Sequence, residues 1–323
     1  MIEAQQIPAP LIQSAAERLV SVPARSRRAA ARQLIESAPA HGIDLSLIWG
    51  TVDRTGPSPR VTQACLIVPT PGRTAMVYLS GPDDAPGAHD PSTQHAHRVA
   101  SLQAALEALD RNMADRIALT QSLVAPAEHW ALAACVEAGM KRIAELSYEK
   151  LTLARQLPPT PELPPGVELR PAGDVDQPAA RTALARALEQ SYIDTLDCPE
   201  LCGLRHIDDV IESHRATGQH DPSLWWVVYR NGEPEGAVLL SPFPDLGSME
   251  LVYLGIGPAL RGLGLGKALM AHAIRAAIEF GSVEMTCAVD TQNVRAMRLY
   301  RALGFRAIDR RLALVRAVSA PVS

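Results

Sequence analysis

Lysine is nearly missing from this chain: Lys141, Lys150 and Lys267 are the three in 323 residues. The remaining bases are arginines, a bias of composition from which no function is read. Basic charge is not in excess either. The 35 acids outnumber the 31 bases and leave a net charge of −4, which argues against chain-wide affinity for nucleic acid or an anionic membrane. The cluster Arg25, Arg27, Arg28 and Arg32 is expected to be a solvated helix face behind a Ser26 cap. No apolar run approaches the length of a membrane span. The opening MIEAQQIPAP has neither a basic n-region nor an apolar h-region, so no signal peptide is expected. The cysteines, Cys65, Cys135, Cys198, Cys202 and Cys287, are odd in number and scattered, as expected of free thiols in a cytoplasm. Cys198 and Cys202 lack a second pair at ligand spacing, and His95 and His97 in the polar stretch STQHAHR lack evident partners, so no metal is expected.

Two phosphate-binding patterns are also incomplete. Around RGLGLGKALMA, residues 261–271, a P-loop would need glycine at Arg261 and a hydroxyl at Ala268. A dinucleotide fingerprint would need glycine at Lys267 or Leu269. What remains is Arg261-x-x-Gly264-x-Gly266 between an apolar strand and a helix. The free N–H groups of a helix's first turn converge on one spot, where the helix dipole favours an anion. Arginine at the lip offers a donor fork.

The middle of the chain is broken by proline. Five fall between Pro158 and Pro165, and proline neither continues a helix nor fills a central strand. This predicts a domain over 1–155, a linker over 156–165 and a second domain over 166–323. The halves echo each other in order. Leu34–Ser37 recurs as Val210–Ser213, and Asp44–Trp49 as Asp221–Trp226. Residues 63–82 parallel 235–258, and 133–151 parallel 298–316. One fold unit therefore occurs twice. In the second copy, helices are predicted over 177–192, 206–217, 265–280 and 293–303. Strands are predicted over 167–170, 224–230, 236–241, 249–256 and 283–289, with one or two more in 307–316. This is a mixed α/β (α+β) layer structure.

In DTQNVRAMRLYRALGF, residues 290–305, Asp290 or Thr291 can cap a helix. Asn293, Ala296 and Tyr300 share one face of it. A small residue between two polar ones leaves a groove for a thin ligand. Tyr300 alone would pass as a core tyrosine. Beside Arg261-x-x-Gly264-x-Gly266 it suggests a site.

These residues carry a resemblance. LVYLGIGPALRGLGLGKAL and the Asn-x-x-Ala-x-x-x-Tyr-x-x-x-Gly-Phe run resemble the GNAT superfamily of acyl-CoA-dependent N-acyltransferases, over about residues 166–318. The first half looks like a degenerate copy, so the chain looks like a tandem GNAT protein, each unit a mixed, mostly antiparallel sheet flanked by helices. Mycothiol synthases share that two-unit layout. The resemblance implies acetyl-CoA as acyl donor, with no metal. Backbone groups of Leu254, Gly255 and Ile256 would pair with the pantetheine arm and acetyl carbonyl. The loop Arg261, Gly262, Leu263, Gly264, Leu265, Gly266, Lys267 would hold the pyrophosphate. Asn293 would contact the pantetheine. Tyr300 would protonate the leaving thiolate. Glu250 matches a strand position that supplies a general base in some histone acetyltransferases. It shares a face with Ile256 if no bulge intervenes. Its alternative is a surface carboxylate.

The segment YIDTLDCPELCGLRHIDD, 192–209, lies where the family builds its acceptor wall. Asp194, Asp197 and Glu200 there are candidates for meeting a cationic amine, although a solvated loop would look the same. The first copy lacks the donor motifs. Asp83, Asp84 and Asp90 would repel a pyrophosphate, Glu128 stands at the Asn position, and Cys135 at the Tyr position. It is expected not to bind CoA. The expected activity is N-acetyl transfer to a primary amine of a small molecule or peptide through a ternary complex. The rivals are a non-catalytic acetyl-CoA-binding regulator and a mycothiol-synthase-like acyltransferase. A monomer is expected, because duplication can bury the surface a dimer would share.

Overall fold

The computed structural model describes residues 2–84, 88–154, 156–159 and 162–319. Residues 85–87 of the first half's expected loop and 160–161 of the expected linker lie outside them. The chain forms two compact units, one of Met1–Ile143 with Leu312–Ser323, the other of Ala144–Arg311. The expected division at the proline-rich segment and these units differ by two long strands, described below.

The first unit contains β1 (Ala4–Gln6), α1 (Ile12–Leu19), α2 (Ala24–Ser37), β2 (Ile48–Asp53), β3 (Arg60–Thr70) and β4 (Thr74–Leu79). It continues with α3 (Pro91–Asn112), β5 (Leu119–Val124) and α4 (His129–Glu137). Pro23 rather than Ser26 precedes α2, and His95 and His97 lie on α3 rather than in a loop. The strands β1 to β4 pair antiparallel in order, and β4 runs parallel to β5 for Thr74–Met76 against Leu119–Gln121. Residues 312–317, from the far end of the chain, pair antiparallel with β5. Leu312 and Leu314 enter the core beside Leu102, Leu106 and Ile117, and Arg316 pairs with Asp110.

The second unit takes most of β6 (Lys141–Thr152), the last strand of the sequence-defined first half. It continues through β7 (Val167–Pro171), α5 (Pro178–Tyr192), α6 (Ile207–Arg215), β8 (Trp225–Arg230), β9 (Glu233–Phe243) and β10 (Ser248–Ile256). Then come α7 (Leu265–Phe280), β11 (Glu284–Asp290), α8 (Val294–Ala302) and β12 (Arg306–Ala317), a single strand whose residues from Leu312 onward are those in the first unit. Strand order is β7-β8-β9-β10-β11-β6. Every pair is antiparallel except β10–β11.

Alternation sorts the side chains into two cores. One face packs Met249, Leu251, Met285, Cys287 and Val289 against Leu265 and Leu269 of α7 and Tyr300 of α8. The other packs Trp225, Val227, Ala237 and Leu239 against Leu184 and Leu188 of α5 and Ile211 of α6. Helix α7 matches its sequence prediction at both ends, because Gly264 (φ 72°) and Gly281 (φ 97°) adopt the left-handed conformation that bounds it.

Candidate active site

Strands β10 and β11 pair only over Ser248–Glu250 and Glu284–Thr286, then part. A cleft of about 660 Å³ opens between them. The sequence-predicted residues Leu254, Gly255, Ile256, Arg261, Gly262, Gly264, Leu265, Gly266, Lys267, Asn293 and Tyr300 line it, and so do Asp194 and Asp197. Leu263, Glu200 and Glu250 do not line it.

A register shift between Leu251 and Tyr253 marks a bulge in β10. One extra residue inverts the alternation beyond it. Leu251, Leu254 and Ile256 therefore face α7, while Tyr253 faces α5 and α6. Glu250 stands opposite Ser241, on the α5 side, so it does not share a face with Ile256 as unbulged spacing predicts. Burial holds its carboxyl above the usual carboxylate range. Gly255 is required locally, because a Cβ there would run into the Tyr253 ring and hydroxyl. That hydroxyl shares a 2.6 Å hydrogen bond with Ser191 Oγ at the end of α5.

One end of the cleft is the first turn of α7, whose N-cap residue Gly264 offers no side chain to its N–H groups. Gly262 (φ 80°) and Gly264 (φ 72°) set the loop. A Cβ at either would meet nothing within 4 Å, so glycine serves the dihedral and not the space. Gly266 differs: a Cβ there would lie 3.0 Å from Leu299, so it sets the approach of α7 to α8. Lys267 and Arg295 add positive charge to the lining.

Arg261 does not present its fork to the first turn of α7. Its Nε donates to Ile256 O at 3.2 Å, and Nη2 donates to Ile193 O at 2.5 Å and Ser191 O at 3.3 Å. It clamps the chain leaving α5 onto the end of β10. The next tether is at Asp197, whose Oδ1 accepts from Asp290 N at 2.8 Å, while Cys198 N donates to Asp290 Oδ2 at 3.3 Å. The backbone is left-handed at Asp194 (φ 50°), between the tethers, and at Cys198 (φ 45°), within the second. Asp197 is exposed as a whole residue. Its carboxyl end is nevertheless enclosed. Burial raises its pKa, the hydrogen bond from Asp290 N opposes that, the Asp290 charge adds to it, and a bond from the Asn293 side chain again opposes it.

Asn293 itself, not Asp290 or Thr291, caps α8, its Oδ1 accepting from Ala296 N at 3.2 Å. Tyr300, 6% exposed, is tilted against Phe305 at 5.3 Å. Burial first, then the neighbouring Cys287, Asp197 and Glu149, holds its phenol well above its ordinary range, so it stays protonated.

In the first unit, β4 and β5 likewise pair only over Thr74–Met76 and Leu119–Gln121. Arg98, 2% exposed, donates from Nε to Ser80 O at 3.0 Å and lies 4.7 Å over the Trp130 ring. Burial, then Arg18, lowers its pKa to about 10. Asp83 pairs with Arg18 and Arg27, Asp90 caps α3, and Glu128 accepts from Ala125 N. Among the described residues, no cluster of three or more His, Cys, Asp or Glu side chains could hold a metal ion, and no helix is long and apolar enough to cross a membrane.

Sequence reasoning missed Asp290 as a tether, the Tyr253–Ser191 bond and Arg295. Each depends on a bulge, a register or a loop path, and none leaves a spacing to read.

Comparison with known proteins agrees with this geometry. Residues 185–305 match the acetyltransferase (GNAT) family. A mycothiol acetyltransferase of Kineococcus radiotolerans is 33% identical over 178 residues, 54% of each chain. One from Beutenbergia cavernae is 38% identical over 88 residues, 26% of this chain and 29% of that protein. A peptidyl-lysine N-acetyltransferase of Escherichia coli is 33% identical over 87 residues, 27% of this chain and 52% of that one. The matched stretch thus spans about half or less of each of these relatives. The crystal structure of a GCN5-related N-acetyltransferase from Sphaerobacter thermophilus superposes with a TM-score of 0.60 at 18% identity, covering 100% of this chain and 97% of that one, and so shares its fold. Residues 185–305, the segment that houses the cleft, are thus similar to the GNAT acetyltransferase family.

Proposed function

We propose that the chain is an acetyl-CoA-dependent N-acetyltransferase that works in its second unit and transfers acetyl directly to a primary amine. The observation that carries this reading is the single cleft holding the helix N-terminus of α7, the splayed strand end Leu254–Ile256 and Tyr300. Backbone N–H groups from Gly264 to Lys267, with Lys267 and Arg295, suit a pyrophosphate. The strand end offers unpaired backbone groups to an extended arm.

Glu250 and Tyr300 lie on opposite sides of the sheet, which suits their separate tasks. The base, directly or through a water, takes a proton from the amine. The amine nitrogen bonds to the acetyl carbon, the carbon–sulfur bond breaks, and Tyr300 gives its proton to the departing thiolate. A phenol kept protonated can serve as that acid. The relatives are named for mycothiol and for peptidyl-lysine, so both a small-molecule and a peptide amine belong in the acceptor screen. The buried Arg98 stacked on Trp130, with Asp83 and Asp90 where the second unit has its glycine loop, supports a first unit that does not bind CoA.

Calorimetric titration with acetyl-CoA tests this. One site per chain, lost in Gly264→Glu, is expected. Two sites would sink the account of the first unit, and no binding would sink the enzyme.

A further inference from the structure

On the α5 side of the sheet, α5 packs over β8, β9 and β10. Strand β11 continues that face with Thr286, Ala288 and Asp290, since Met285, Cys287 and Val289 point into the other core. Ala288 both lines the cleft and is exposed, so a small side chain leaves an opening there from the solvent side to the parting of the strands. Its register partner is Tyr148 of β6. Glu250 occupies the same face, in register with Thr286, one position along that face from Ala288. Tyr148 therefore flanks the opening on the β6 side and Glu250 on the β10 side.

Other observations agree. The Tyr148 phenol is raised by burial first, with Arg311 opposing and Glu250 and Asp309 adding to the rise, so the carboxylate is within electrostatic reach of the ring. The next residue of β6 on this face, Lys150, is paired with Glu284 at 3.1 Å. Arg311 is paired with Asp309 at 2.7 Å. Tyr148 lies outside the family-matched segment 185–305, in the strand that sequence division assigned to the inactive half.

We infer that Tyr148 is a specificity-determining residue, its ring forming the wall on which the acceptor's substituent packs while the amine meets Glu250 over Ala288. This rests on the proposed acetyl transfer and adds where the acceptor lies and which strand shapes it. An acceptor with a few apolar carbons next to its amine gains from the ring; a branched or bulky one at the α-carbon is excluded by it.

Two probes test this by calorimetry without a known acceptor. In one, the CoA sulfur carries an acetamide group; in the other, the amide nitrogen also bears an n-butyl chain in place of the acceptor. The full-length protein is expected to bind the butyl probe about tenfold more tightly than the acetamide probe, the gain from burying a few methylenes on the ring. Tyr148→Ala is expected to abolish the gain with acetyl-CoA affinity and melting temperature held, and Tyr148→Phe to keep it. A gain that survives Tyr148→Ala, no gain in the unaltered protein, or equal loss of both probes would overturn the inference. Failure of acetyl-CoA and the acetamide probe to bind at all would instead identify the donor site as the failed step, and the inference would fall with it.

Discussion

Arg261 Nη2 donates to the carbonyl of Ile193 at 2.5 Å. A residue of the phosphate-loop motif thereby fixes the loop that borders the other side of the cleft. Arg261→Ala should release residues 191–198, seen as faster amide exchange there, and weaken acetyl-CoA roughly tenfold although the side chain touches no phosphate. Arg261→Lys should rescue little, because an ammonium cannot reach Ile256, Ser191 and Ile193 from one planar group. Unchanged exchange in Arg261→Ala would remove the clamp from the account.

Gly264 is left-handed with open space around it. Gly264→Ala should cost about 1 kcal/mol of stability and most of the donor affinity, from backbone strain alone. Gly264→Asn should lose less of both, since Asn tolerates that conformation. Equal effects of the two in melting and titration would point to crowding instead.

Glu250 titrates above the usual carboxylate range because it is buried. As a base it must be deprotonated, so kcat/KM should rise with pH through that raised value. Glu250→Gln should remove this acid limb and slow transfer about 10²-fold. The stability sign is opposite. The folded state holds this proton more tightly than the unfolded chain does. The resulting stability is complete below the unfolded pKa and is lost as pH rises through the folded one. Glu250→Gln should therefore melt no lower than the unaltered protein at neutral pH. A large drop would mean that the carboxylate makes a structural bond.

Tyr300→Phe keeps the ring against Phe305 and removes only the hydroxyl. Acetyl-CoA affinity should stay within about twofold while kcat falls roughly 10²-fold. A kcat that does not change would assign thiolate protonation to water.

The strand exchange has a plain consequence for fragments. One spanning 166–323 lacks β6, and with it Leu151 and Leu153, which pack against the core of the second unit. A fragment spanning 141–311 keeps them. The 166–323 fragment should melt lower or associate through the bare edge of β11, read by thermal melting and sedimentation. Equal, monomeric behaviour of both would show that β12 can take the place of β6.

The sequence by itself determined the duplication, the α/β class, the second unit's helices almost to the residue and much of the lining of the cleft. Those are local facts: glycines at positive φ, a helix start at Leu265, and Asn293, Ala296 and Tyr300 on one turn-spaced face. What the tertiary structure alone decided depends on pairing between distant strands. The bulge at Val252 moved Glu250 to the opposite face from Ile256, because alternation has a period of two and one extra residue inverts it. The carbonyls around Arg261 drew its fork away from the first turn of α7. Strand β6 of the first sequence half pairs with β11, and the end of β12 pairs with β5, placing Tyr148 beside Ala288. Strand register is set by partners far away in the chain, and no spacing within either segment encodes it.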